Sequence, residues 1–182
     1  MSRLPVIEPE TATGAAAELL AKAQKVLGVT PNMTKAMANS PAVLSAYLEF
    51  TGALSSGSLP AAVRERLALV VAQENGCDYC LAAHTFVGIH LAGLSAQEAE
   101  AARRGSAADA KAQAALTLAV ALVRGRGDVE DAELAAARLA GLSDGEIAEV
   151  VAHVALNVFT NYFTKTARPA LDWPLVSHQG ES

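Results

Sequence analysis

Apolar positions recur at helical spacing through most of the chain, and glycine, proline and capping serines punctuate them. From Gly14 to Gly28 alanine and leucine return every three or four positions, and the closing glycine suits the left-handed residue that ends a helix. Thr30-Pro31-Asn32 breaks the chain. A short helix is expected from Asn32 to Ala38, and after the Ser40-Pro41 stop and start signal a third runs from Ala42 to Leu54. Ser55-Ser56-Gly57-Ser58 reads as a loop. Pro60 occupies a first-turn position that tolerates proline, and a strong helix follows from Ala61 to Asn75, ending at Gly76, so the next begins near Cys77. Ser95-Ala96-Gln97-Glu98 and Ser143-Asp144-Gly145-Glu146 fit the capping box, in which serine and glutamate satisfy each other's backbone donors. Between these starts lie helices from Asp109 to Val123 and from Glu130 to Leu139. The last long helix runs from Asp144 to about Ala167, where Arg168-Pro169 stops it. No segment alternates convincingly as a strand, so the expected fold class is all-α, with Phe50, Leu69, Val70, Phe86 and Leu118 among the core candidates.

Composition narrows this picture. At 182 residues the chain is long enough for one domain with a real core, and its 52% hydrophobic but only 4% aromatic content is dominated by alanine, leucine and valine, as packed helices require. A single helical domain over residues 1–182, with its core at about 41–167, is the expectation. The net charge is −5 and no basic run exceeds the pair Arg103-Arg104, so the electrostatic footprint of a nucleic-acid binder is missing. Met1 to Pro5 leads directly into Glu8 and Glu10, unlike a secretory leader. The most apolar run, Ala114 to Val123, is about half the roughly 20 residues of a membrane span, and the longer uncharged stretch from Tyr79 to Gln97 carries His84, His90 and two glycines. These features predict a cytoplasmic protein without a membrane segment. Two cysteines are too few for a disulfide scaffold, which makes their spacing the informative property.

Cys77, Cys80 and His84 stand at i, i+3 and i+7, within an arc of about 60° on one helix face. Gly76 turns the chain just before them and sets the cysteines in the first turn, where free N–H groups and the helix dipole favour a thiolate. In such surroundings a cysteine pKa drops from about 8.5 to somewhere between ~3.5 and ~7.5. A thiolate attacks the O–O bond of a peroxide, becomes a sulfenic acid, and is captured by a neighbouring thiol as a disulfide that an external dithiol must reset. His84, one turn beyond Cys80, is placed to hold or pass the proton. Glu65, twelve residues before Cys77 on the preceding helix, reaches the thiols if the two helices pack antiparallel.

Glu65 followed by Asn75-Gly76-Cys77-x-Tyr79-Cys80-x-x-x-His84 resembles the signature of the carboxymuconolactone decarboxylase superfamily, in its alkylhydroperoxidase D-like branch. The tight match spans about twenty residues, and helix order and length extend it loosely over most of the chain. The resemblance implies an all-α fold and a homo-oligomer, a trimer or hexamer. It implies Cys80 as the peroxide-attacking thiol, Cys77 as the resolving thiol, and Glu65 and His84 as a proton relay. It also implies a hydroperoxide substrate and an external dithiol reductant, of which a lipoyl-bearing protein is one candidate; no cofactor and no metal are expected. Helix-dipole reasoning alone favours Cys77 as the nucleophile, because it lies nearer the helix start. Position 79 departs from the pattern: alkylhydroperoxidase D has a histidine there and this chain has Tyr79, an accessory candidate that hydrogen-bonds but titrates near ~10 and so does not replace a neutral-range shuttle.

Three other readings compete. Cys77, Cys80, His84 and Glu65 could supply four zinc ligands, but structural zinc sites usually take a second pair from a distant Cys/His motif and none is present. The lactone decarboxylation that names the superfamily has no use for a dithiol, and a non-catalytic helical oligomer leaves the cysteines without purpose. His153, Asn157, Asn161 and Tyr162 recur at helical spacing on the last helix, where they either line a pocket or a subunit face or serve as hydrogen-bonded structural polars, with His153 the further accessory candidate. His90 falls off the reactive face, and Trp173 is expected to anchor the tail. An apolar helical pocket suits an alkyl hydroperoxide better than a bulky polar one.

Overall fold

The computed structural model describes residues 2–179, and among these every regular element is a helix. In chain order they are α1 (Gly14–Leu27), α2 (Asn32–Met37), α3 (Pro41–Ser55), α4 (Ala61–Glu74), α5 (Asp78–His90), α6 (Ala96–Arg103), α7 (Ala110–Gly125), α8 (Asp131–Leu139) and α9 (Asp144–Ala167). The expected all-α class and the expected helices hold, with ends displaced by a residue or two. Local chemistry explains the ends. Gly28 closes α1 in the left-handed conformation, and Ser95 and Ser143 form full capping boxes with Glu98 and Glu146 at the starts of α6 and α9. Arg168 takes a left-handed φ of 48° and ends α9 just before Pro169.

Helix α4 lies at the centre, packed against α5, α6, α7 and α9. Its middle, Leu67 to Ala72, is buried on every side, and a helix apolar all round is stable only where neighbours cover it completely. Polar residues are confined to its ends: Arg64, Glu65 and Arg66 near the start, Gln73 and Glu74 at the finish. The chain reverses over Asn75 to Cys77 and α5 runs back along α4. Gly88 on α5 permits the close approach, since a Cβ there would stand 3.7 Å from the Glu65 Cβ and 3.1 Å from Leu94 Cδ1.

Leu69, Val70 and Leu118 are buried as expected, whereas Phe50 and Phe86 are 37% and 39% exposed. The buried stripe of α3 runs through Leu44 and Leu48, and Phe50 is about 200° round the helix from Leu48. Phe86 instead joins a surface aromatic group, 4.5 Å from the His90 ring and 6.2 Å from Trp173. Trp173 also meets Tyr79 edge-on at 6.1 Å, which fastens the segment after α9 onto α5, as anticipated for the tail. No helix among the described residues is long and apolar enough to cross a membrane.

Candidate active site

Gly76 adopts a φ of +60°, and this left-handed turn lets Cys77 become the N-cap of α5. Its sulfur does what a serine oxygen does at other helix starts, accepting the Cys80 N–H at 3.3 Å. The cap brings the two sulfurs together: Cys77 and Cys80 are joined as a disulfide with Cα atoms 5.4 Å apart. Both residues are almost wholly shielded from solvent. Thr164, from the last turn of α9, sits against the pair, its Oγ1 3.1 Å from Cys77 Sγ and 3.3 Å from Cys80 Sγ. The Thr164 hydroxyl also lies 2.9 Å from the Thr160 carbonyl oxygen, which accepts from it, so its position is set by the helix itself.

Glu65 and His84 meet across the α4–α5 contact, with Oε2 2.8 Å from Nδ1. A carboxylate on one ring nitrogen fixes the imidazole's orientation and leaves the other nitrogen free for proton transfer. Glu65, His84 and Cys80 line a cavity of about 340 Å³ whose walls are otherwise largely apolar, with Met33, Val87, Leu156 and Trp173 among them. Tyr79 and His153 line it too; Cys77 does not, and faces Thr164 instead. The antiparallel packing needed for Glu65 to reach the site is therefore present.

Tyr79 is engaged elsewhere. Its hydroxyl donates to Asp172 Oδ2 at 2.5 Å and accepts the Met33 N–H at 3.1 Å, while Asp172 also accepts the Asn32 N–H. Burial, with the Asp172 carboxylate adding to it, pushes this phenol far above its ordinary value, so it stays protonated and ties α5 to α2 and to the tail. Burial also lowers the His153 pKa, assisted by the Arg64 guanidinium, so that this imidazole is neutral near pH 7. Asn157 lines the cavity, whereas Asn161 turns away and accepts from the Asn75 side chain at 2.9 Å, and Tyr162 is exposed. Among the described residues no group of three or more His, Cys, Asp or Glu is arranged to hold a metal ion, and the two sulfurs that a zinc site would need are bonded to each other.

Several residues at the site lacked a signal that singled them out. Thr164 extends the polar spacing of Asn157 and Asn161 by one step and was open to detection on that ground. Tyr47, whose phenol is pushed up to about 12 by burial, and Thr51 reach the cavity from α3 only through long-range packing. His178 caps the turn at Gly76, where a Cβ would lie 3.2 Å from its ring, and its Nδ1 is 2.7 Å from Asp78 Oδ1.

Comparison with known proteins agrees with this arrangement. Residues 41–117 match the model of the Carboxymuconolactone decarboxylase family, which bears out the resemblance read from Glu65 to His84. No curated protein matches. Among solved structures the chain is similar to an uncharacterized peroxidase-related protein from Silicibacter sp. TM1040, with a TM-score of 0.79 and 26% identity over 92% of this chain and 89% of that one. It is also similar to an uncharacterized peroxidase-related protein from Ralstonia eutropha JMP134 described as an alkylhydroperoxidase AhpD core, with a TM-score of 0.79 and 24% identity over 93% of this chain and 92% of that one. A third structure, a cysteine-to-alanine variant of the debrominase Bmp8 in complex with 2,3,4-tribromopyrrole, shares the fold with a TM-score of 0.79 and 15% identity over 94% of this chain and 92% of that one.

Proposed function

We propose that the protein is a thiol-dependent peroxidase that reduces organic hydroperoxides through a Cys77/Cys80 dithiol–disulfide cycle. The observation that carries this reading is the cavity that Cys80 shares with the hydrogen-bonded Glu65–His84 pair. In the reduced protein the Cys80 thiolate attacks one oxygen of ROOH, the O–O bond breaks, and Cys80 becomes a sulfenic acid while ROH leaves with a proton delivered by His84. The Cys77 thiol then attacks the sulfenic sulfur, forming the disulfide and releasing water. An external dithiol reduces the disulfide, so that ROOH and the dithiol become ROH, water and the oxidised reductant.

Cys80 is assigned the attack because it faces the cavity and Cys77 does not, a stronger argument than nearness to the helix start. Glu65 orients His84, and Tyr79 serves packing rather than proton transfer. The peroxidase-related name of the Silicibacter structure supports the same class of chemistry. A lyase reading of the family gains nothing from a bonded cysteine pair next to a carboxylate–imidazole pair. The proposal includes one helical unit over residues 1–182 that assembles with copies of itself. Val151, Phe159 and Tyr162, exposed on α9, are suited to such a contact, and light scattering tests it.

Stopped-flow consumption of cumene hydroperoxide by the reduced protein, in the presence of a dithiol, tests the reaction. Wild type is expected to turn over, with Cys80→Ser inactive and Cys77→Ser limited to a single stoichiometric reaction when the dithiol is left out. Consumption that neither substitution slows overturns the proposal.

A further inference from the structure

The cavity carries a polar feature that the peroxidase cycle does not use. Its α4–α5 wall provides Cys80, His84 and Glu65, whereas α9 and α3 contribute His153 and Thr51. His153 is only 6% exposed, and its Nε2 is shut off from solvent without a hydrogen-bond partner. Thr51 Oγ1 is likewise buried, and beside the Tyr47 hydroxyl it makes no well-formed hydrogen bond. Leaving a buried polar atom unsatisfied costs about 1–3 kcal/mol, so two such side chains on one cavity mark a place where a ligand supplies the missing bonds. A neutral imidazole with no protein partner also has a free choice of tautomer, and it accepts from a hydroxyl or donates to a carbonyl with equal ease.

Charge defines the ligand further. Arg64 and Glu65 are the cationic and anionic side chains on the lining, apart from any proton held by the histidines. Glu65 is paired with His84, and Arg64 Nη1 donates to the Ser55 and Leu59 carbonyl oxygens at 2.9 and 3.3 Å. The cavity is thus electrically balanced and favours an uncharged guest.

We propose that His153 and Thr51 form a binding subsite for a hydroxyl or carbonyl oxygen carried by an uncharged, mostly apolar small molecule. It rests on the peroxidase reading only for its consequence: a preferred hydroperoxide carries such an oxygen in addition to its O–O bond, the former held at α9 and α3 while the latter meets Cys80.

Binding is measured without reaction. Trp173 is the only tryptophan and lines the cavity, so its fluorescence reports occupancy. Benzyl alcohol is expected to bind the wild type at least about fivefold more tightly than toluene, the same body without the oxygen, and more tightly than benzoate. His153→Leu and Thr51→Val are each expected to reduce the alcohol's advantage to about twofold or less, while His153→Gln, which keeps a donor and an acceptor, retains most of it. Equal binding of alcohol and toluene, no binding of either, or a preference unchanged in both variants overturns the subsite. Preference abolished by the variants in a protein that consumes no peroxide leaves the subsite standing and the peroxidase reading fallen. Cys80-dependent consumption without the preference does the reverse.

Discussion

The two sides of the Cys77–Cys80 bond differ sharply. On the Cys80 side lies an open cavity, apolar over most of its wall and edged by a hydrogen-bonded carboxylate and imidazole. On the Cys77 side there is polypeptide: the Gly76 turn and the His178 ring packed over that turn and bonded to Asp78, while the Thr164 hydroxyl lies against both sulfurs. A bond set between a space for a small molecule and a covering of chain is suited to two partners that never meet. In the proposed cycle the oxidant enters from the cavity side. The proposed reductant is then confined to what reaches the other side, and exchange with a buried sulfur is limited by access as much as by potential.

The largest way to break this asymmetry is to disable the cavity side. His84→Ala is expected to lower kcat/KM for an organic hydroperoxide by about 10²–10⁴, the usual worth of a positioned acid or base, with little effect on how fast a dithiol reduces the disulfide. Paired stopped-flow measurements of the two half-reactions check this. Filling the space is the next test. Ala83 lines the cavity on α5, and Ala83→Phe is expected to slow cumene hydroperoxide by about 10- to 100-fold while slowing hydrogen peroxide much less, because only the larger substrate needs the volume.

The covered side should respond in the opposite sense. His178→Ala removes the ring over Gly76 and is expected to speed reduction of the disulfide by dithiothreitol by about twofold to tenfold, leaving peroxide consumption by the reduced protein unchanged. Equal effects on both half-reactions would erase the distinction between the sides. The smallest effect belongs to a carboxylate outside both. The Ser58 hydroxyl and N–H, joined by the Leu59 N–H, hold the Glu149 carboxyl below its usual range. A pKa lowered by folding stabilises the protein above the unfolded value and loses that stabilisation as pH drops through the folded one. Glu149→Gln is therefore expected to lower the melting midpoint by about 2–4 °C at pH 7, with the gap closing below about pH 4.5 and no change in either half-reaction. Thermal unfolding monitored at both pH values decides it.

These regions also differed in how plainly the amino-acid sequence announced them. The α4–α5 hairpin is written in local signals: Gly76 needs its left-handed turn, Cys77 caps the helix it starts, and the spacing of Glu65, Cys77, Cys80 and His84 survives folding because one tight reversal relates all four. The capping boxes at Ser95 and Ser143 are equally local and were equally legible. The covering of the bond was not. Asp172 meets Tyr79 across 93 residues, and His178 meets Asp78 across 100, with no periodicity or motif linking either pair. Tyr47 and Thr51 reach the cavity by the packing of α3 against its neighbours, which hydrophobic spacing alone does not specify. Phe50 and Phe86 teach the converse, since their size suggested a core position and the stripe of their own helices turned them outward.

In the proposed cycle it is Cys80, and not Cys77, that meets the oxidant. Reduced Cys77→Ser protein treated with one equivalent of cumene hydroperoxide, trapped with dimedone and mapped by peptide mass spectrometry, tests it most directly. A stoichiometric dimedone adduct on Cys80 is the expected result. Peroxide consumed with Cys80 unmodified, or a matching adduct formed on Cys77 in reduced Cys80→Ser at the same rate, would contradict it.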